Sequence, residues 1–100
     1  MYLSVVIPAY NEEQRIGESL TKTEDYLKKQ GYDFELIVVD DGSNDKTVDL
    51  LKTYSRKITN LVILENEINQ GKGYSVRNGI LASKGDIVLF TDADFSTPIG

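Results

Sequence analysis

Carboxylates are the main chemical resource of this chain, and they recur where apolar runs end. Val5-Val6-Ile7-Pro8-Ala9-Tyr10-Asn11-Glu12, Leu36-Ile37-Val38-Val39-Asp40-Asp41-Gly42-Ser43 and Ile87-Val88-Leu89-Phe90-Thr91-Asp92-Ala93-Asp94 each pass from aliphatic residues into a polar or acidic cluster. Open α/β sheets bind ligands beyond the carboxyl ends of their strands, so three such clusters describe one site. Asp92 and Asp94 stand one residue apart. A bend there lets both carboxylates serve one cation, the arrangement of a metal anchor for a nucleoside diphosphate. The bland alternative is a solvated turn closing the last strand. A position beside the first strand, at the switch point of the sheet, favours the metal reading.

The other polar residues divide between ligand and scaffold. Asp41, Ser43 and Asn44 suit a turn that caps the following helix, since Asp before Gly bonds its own backbone. Asp40, at the strand edge, is the better acceptor for a ligand N–H. Tyr10, directly after Pro8 and Ala9, can wall a base at the strand mouth. Glu12 serves either a ribose or the helix dipole. Asn69-Gln70-Gly71-Lys72-Gly73-Tyr74-Ser75 has the glycines of a phosphate loop, but Gly follows Gly71-Lys72 where a Walker A motif needs Ser or Thr. Its backbone can still approach a ligand, with Lys72 as a local positive charge. Arg77 reads as ordinary helix-surface charge.

Composition narrows the chemistry. The chain has 100 residues, 40% apolar and 27% charged, which suits one soluble domain over 1–100 and is too little for two. A net charge of -5 argues against a nucleic-acid surface, which needs many Lys and Arg against phosphates. There is no Cys and no His, so zinc-thiolate sites, disulfides and an imidazole base are excluded. A metal must be held by oxygen, which suits Mg²⁺ or Mn²⁺. No window reaches the roughly 20 apolar residues of a membrane helix, and no signal peptide opens the chain, so a cytoplasmic location is expected.

The elements that must position these residues follow from periodicity. Leu3 to Ala9, Phe34 to Val39, Leu61 to Leu64 and Ile87 to Phe90 read as strands. A helix is expected from Asn11 to near Gly31, with Ile16, Leu20 and Leu27 on one face. A second takes its apolar side from Val48, Leu51 and Ile58. A third runs from the loop Glu65 to Gly73 to about Lys84, with Val76 and Ile80 inward and Gly85 as terminator. The order βαβαβαβ implies a Rossmann-like, three-layer parallel sheet with right-handed crossovers and helices on both faces. With no helix after the last strand, the chain reads as the first half of something longer, and its open sheet edge suggests self-association.

Together SVVIPAYNEE, ELIVVDDGSNDKT, NQGKGYSVRNGILASKGD and LFTDADFSTP resemble the successive signatures of family 2 inverting glycosyltransferases of the GT-A fold, over essentially the whole chain. Within that family the pattern is most similar to polyprenyl-phosphate (dolichyl-phosphate) glycosyltransferases, which move one sugar from a nucleotide sugar to a lipid phosphate. The resemblance implies that Pro8, Ala9, Tyr10, Glu12 and Asp40 line the nucleoside pocket, with Lys72 near the nucleotide. It implies that Asp92 and Ala93 contact ribose and diphosphate, and that Asp94, with Asp92, binds the divalent metal. Mannosyl-phosphate synthases commonly carry Gln two positions after the last Asp of this motif, where this chain has Ser96. The DADFSTP segment is closer to the dolichyl-phosphate glucosyltransferase pattern, which favours UDP-glucose over GDP-mannose. The acceptor pocket, the catalytic residues and any membrane association of the parent enzyme would lie beyond Gly100, so the 100 residues alone are expected to turn over no sugar.

Other classes fit less well. No G-x-G-x-x-G follows the first strand, which argues against a nicotinamide-binding domain. The acidic segment at 92–97 lacks the central Gly of an EF-hand. VVDDG resembles the acidic pocket of a receiver-type phosphoacceptor, but such domains carry the pair after the first strand and need a Lys after a late one. A non-catalytic fragment keeping the family's sequence is the remaining alternative.

Overall fold

Seven elements alternate along the chain in a computed structural model that describes residues 2–91. They are β1 (Leu3–Ala9), α1 (Ile16–Gln30), β2 (Phe34–Asp41), α2 (Thr47–Ser55), β3 (Leu61–Asn66), α3 (Lys72–Ala82) and β4 (Ile87–Phe90). The four strands form one parallel sheet in the order β3-β2-β1-β4. The switch point therefore falls between β2, β1 and β4, as the order of apolar runs implies. Asp92, Ala93, Asp94 and Ser96 lie outside the described residues.

The alternation of side chains along β1 and β2 separates two cores. Leu3, Val5, Ile7, Leu36 and Val38 pack with Ile16, Leu20 and Leu27 of α1 and Leu51 of α2 on one face. Val6, Ile37 and Val39 form the smaller core of the other face, completed by Leu64 and Val88. α3 covers that second face through small residues. A Cβ on Gly79 would run into Val6 Cγ1 and stand 3.2 Å from Val39 Cγ2, and Ser75 one turn earlier is also buried. This close seat explains a departure from the expected helix face. Val76 is only partly buried and Ile80 is 44% exposed, because the contact runs along Ser75 and Gly79 instead.

Three boundaries also differ from expectation. α1 begins at Ile16, not Asn11, since Asn11 adopts a left-handed φ of 51° and residues 13–15 form a turn. It ends as expected, with Gly31 left-handed and its N–H on Lys28 O. Ile58 is buried against the first core but lies beyond the end of α2. α3 stops at Ala82, and Gly85 serves a close approach, because a Cβ there would meet Ser4 N at 2.6 Å. Ser4 Oγ donates to the buried Glu35 Oε2 (2.6 Å), which also accepts Lys84 N–H (2.8 Å), while Gly85 N–H donates to Ser4 Oγ (2.8 Å). This polar latch ties the start of β4 to the floor of the sheet. Among the described residues no helix is long and apolar enough to cross a membrane.

Candidate functional site

The site grows from the turn after β2. Ala9 of β1 and Asp40 of β2 are register partners, so Tyr10 and Asp40 come together at adjacent strand ends. Tyr10 is 42% exposed and Asp40 only 2% exposed. The buried carboxylate accepts Ser43 N–H at Oδ2 (3.1 Å) and the Ser43 hydroxyl at Oδ1. An ionised carboxylate offers about four acceptor positions, so capacity remains for one ligand N–H. Pro8 and Ala9 form the last residues of β1 beneath the crevice, Pro8 partly buried and Ala9 buried.

The turn 42–47 then fastens the loop after β1. Asn11 N–H donates to Ser43 Oγ (2.9 Å), Glu12 N–H to Thr47 Oγ1 (2.8 Å) and Glu13 N–H to Asp45 Oδ2 (3.3 Å), while Asn44 N–H returns to Asn11 Oδ1 (2.8 Å). Asp45 Oδ1 accepts Thr47 N–H (2.9 Å) and the Thr47 hydroxyl. Burial pushes the Asp45 carboxyl up, but the bonds from the Thr47 hydroxyl and N–H and from the Glu13 N–H outweigh it and hold it below the usual aspartate value. Glu12 pairs with Arg15 (Oε2 to Nε 3.4 Å), and its carbonyl accepts the Arg15 and Ile16 N–H groups. It thus stands before the helix and not within its first turn.

Asp41 corrects the reading of this turn. It does not cap α2, a task that falls to Asp45. One residue on from Asp40, it lies on the opposite face of β2 and reaches the loop between β3 and α3. Oδ1 accepts Gln70 N–H (2.7 Å) and Asn66 Nδ2 (2.9 Å), and Oδ2 accepts Gly71 N–H (2.9 Å). Burial raises the Asp41 carboxyl, yet donors from Gln70, Asn66, Gly71 and Ser75 together hold it below its ordinary value. Lys72 follows directly as the first residue of α3 and is exposed.

The third wall enters from β4. Thr91 N–H donates to Val6 O (3.0 Å), so the chain reaches position 91 alongside β1, one residue before Asp92. Among the described residues no group of three or more acidic side chains is arranged to hold a metal. The Asp92 and Asp94 assignment lies outside those residues, as do Ala93's contacts. A separate cleft of about 430 Å³, lined by Glu65, Asn66, Gln70, Tyr74 and Asn78 among others, opens at the outer edge of β3. It contains none of Tyr10, Glu12, Asp40 or Lys72. Asp45, Thr47, Asn66 and Ser75 were not legible as site supports, although Asp45 two residues before a hydroxyl is a recognisable local turn pattern.

The fold and the convergence of strand ends define the class: solved glycosyltransferases of the GT-A type superimpose on this chain. TarS residues 1–349 of S. aureus match with TM-score 0.79 and 37% identity over 94% of this chain and 28% of that one, and the same protein has been solved in complex with UDP. The mannosyltransferase PcManGT of Pyrobaculum calidifontis, solved with GDP-Man and Mn²⁺, matches with TM-score 0.80 and 29% identity over 92% of this chain and 27% of that one. The chain belongs to glycosyl transferase family 2, whose model matches residues 4–99. Among its relatives, a dolichyl-phosphate beta-glucosyltransferase of Trichomonas vaginalis (ALG5A) is 39% identical, covering 99% of this chain and 32% of that protein. The Homo sapiens dolichyl-phosphate beta-glucosyltransferase is 38% identical, covering 95% and 32%. The chain spans about a third of the length of these relatives.

Proposed function

We propose that this chain is the nucleotide- and metal-binding part of an inverting glycosyltransferase that moves glucose from UDP-glucose to a dolichyl or polyprenyl phosphate. The observation that carries the proposal is the meeting of Tyr10 with the buried Asp40 at adjacent strand ends, where β4 delivers the chain beside β1. In this reading Asp40 accepts the N–H of the uracil and Tyr10 walls its ring. Pro8, Ala9 and Glu12 line the nucleoside end, and Lys72, Asp92 and Ala93 serve the ribose and diphosphate. The donors available in the acidic segment are oxygens only, which suits Mg²⁺ or Mn²⁺ held by Asp94 with Asp92. Such a cation, when bound, supplies charge stabilisation for the departing diphosphate. The acceptor phosphate is already anionic at neutral pH, so a chain without His needs no imidazole base to activate it. Inversion follows from a single in-line displacement, and no residue of this chain is assigned as a catalytic base.

Glucose and UDP are preferred because the relatives are dolichyl-phosphate beta-glucosyltransferases and a UDP complex is known for a neighbour of 36% identity. GDP-mannose is the second reading, favoured by the neighbour solved with GDP-Man. Titration calorimetry with UDP and GDP, each with and without Mn²⁺, tests both. UDP should bind more tightly with Mn²⁺, and Asp40→Ala should abolish that binding. A chain that ignores both nucleotides refutes the proposal. The 100 residues alone should transfer no sugar, since they correspond to about a third of the relatives. The exposed edge of β4, where Phe90 is 62% and Leu89 49% exposed, supports self-association of the isolated chain through strand pairing. A strictly monomeric sedimentation profile at high concentration refutes that.

A further inference from the structure

We propose that Asp41 is a positioning residue for diphosphate recognition: its carboxylate sets the loop that presents Lys72 and the amino end of α3 to the crevice. The inference rests on the reading that Tyr10 and Asp40 hold a nucleoside. Asp41 is 4% exposed and gathers the Gln70 and Gly71 N–H groups together with Asn66 Nδ2. Its own carbonyl accepts Asn69 Nδ2 (3.3 Å), so its backbone and side chain both grip the loop. Gly42 brings the two segments into contact. Its φ is +75°, and a Cβ there would stand 2.7 Å from Asn69 N and 2.8 Å from Ile68 C. No side chain can separate the turn after β2 from the loop after β3.

What this anchor presents is electropositive. Gly71 has a φ of +98°, which turns the chain from the anchored amides into α3, and Lys72 comes next. The first turn of α3 holds no acidic residue, so nothing within the helix neutralises its positive end. Seat and nucleoside wall stand on different elements. Tyr10 and Asp40 depend on Ser43 and the first loop, whereas Lys72 depends on Asp41. The adjacent aspartates thus divide recognition into a base half and a diphosphate half, and the division can be measured.

The test compares uridine with UDP. Asp41→Asn keeps the shape of the side chain and replaces one acceptor by an amide that faces a donor. In the 100-residue chain this variant should bind UDP about tenfold more weakly, the loss expected for hydrogen bonds to a charged acceptor, while uridine affinity stays within about twofold. A general loosening of the fold would weaken both ligands. Unchanged UDP affinity, or an equal loss for uridine and UDP, overturns the inference and leaves the nucleotide reading standing. Failure of the unmodified chain to bind UDP overturns that reading and this inference with it. Should Asp41→Asn not fold, Asn66→Ala removes one donor to the same carboxylate, and the same split between the two ligands is expected with a smaller loss.

Discussion

Gly79→Ala sets two effects of known size against each other. In a helix interior, Ala is favoured over Gly by about 1 kcal/mol, so propensity alone stabilises the variant. Packing opposes it. The new methyl would overlap Val6 Cγ1 and stand 3.2 Å from Val6 Cγ2 and Val39 Cγ2. Both valines are fully buried in adjacent central strands and stiff at χ1, so neither can turn away. Overpacking of this kind costs about 1–3 kcal/mol. Because the overlap is with a β-branched residue of the central sheet, the upper part of that range applies, and a net loss of about 1–2 kcal/mol is expected. Gly73→Ala is the matched control, in the same helix with nothing within 4 Å of its Cβ, and should be neutral or gain up to about 1 kcal/mol. Urea denaturation followed by circular dichroism measures both as shifts in midpoint at constant slope. A Gly79→Ala variant more stable than the parent would refute the seating of α3 on Val6 and Val39, and with it the placement of the Lys72 end of that helix.

Other expectations follow from the buried polar groups. Asp45→Ala removes the acceptor of the Thr47 and Glu13 N–H groups and should cost about 1–2 kcal/mol, read in the same denaturation assay; no change would remove Asp45 as the helix cap. Glu35→Ala leaves Ser4 Oγ and Lys84 N–H without their shared acceptor, costing about 1–3 kcal/mol, and hydrogen exchange should quicken at Lys84 and Gly85 before other core amides. Asp41 and Asp45 both have folded pKa values below the ordinary aspartate value of about 3.9. The folded state therefore binds these protons less readily than the unfolded state. Their contribution is complete above that value and is lost as pH falls through it toward the folded pKa values. Thermal unfolding between pH 5 and about 2 should show this loss, and Asp41→Asn and Asp45→Asn should each flatten it.

Strands were the most legible elements. Leu3–Ala9 and Ile87–Phe90 lie where continuous aliphatic runs end in Pro, Tyr or Thr, because a central parallel strand is apolar on both faces. Helix starts were less legible. The acidic pair Glu12 and Glu13 suits a first helical turn locally, but side chains more than thirty residues away claim their amides. The inward face of α3 was misread for a related reason. Val76 and Ile80 look like its apolar stripe, yet helix and sheet approach so closely that only Ser75 and Gly79 fit between them.

Residue types alone already limited the chemistry to oxygen ligands and hydrogen bonds, and the alternation of apolar runs with amphipathic stretches dictated a parallel α/β sheet. Both properties are local, carried by composition and period. The separate tasks of Asp40 and Asp41 are not local. Neighbouring residues of a strand point to opposite faces, so two chemically identical carboxylates serve different loops, and which loop each meets depends on strand order and on segments 25 to 30 residues further along. Only the folded chain brings Asn66, Gln70 and Gly71 to one of these aspartates and Tyr10 beside the other.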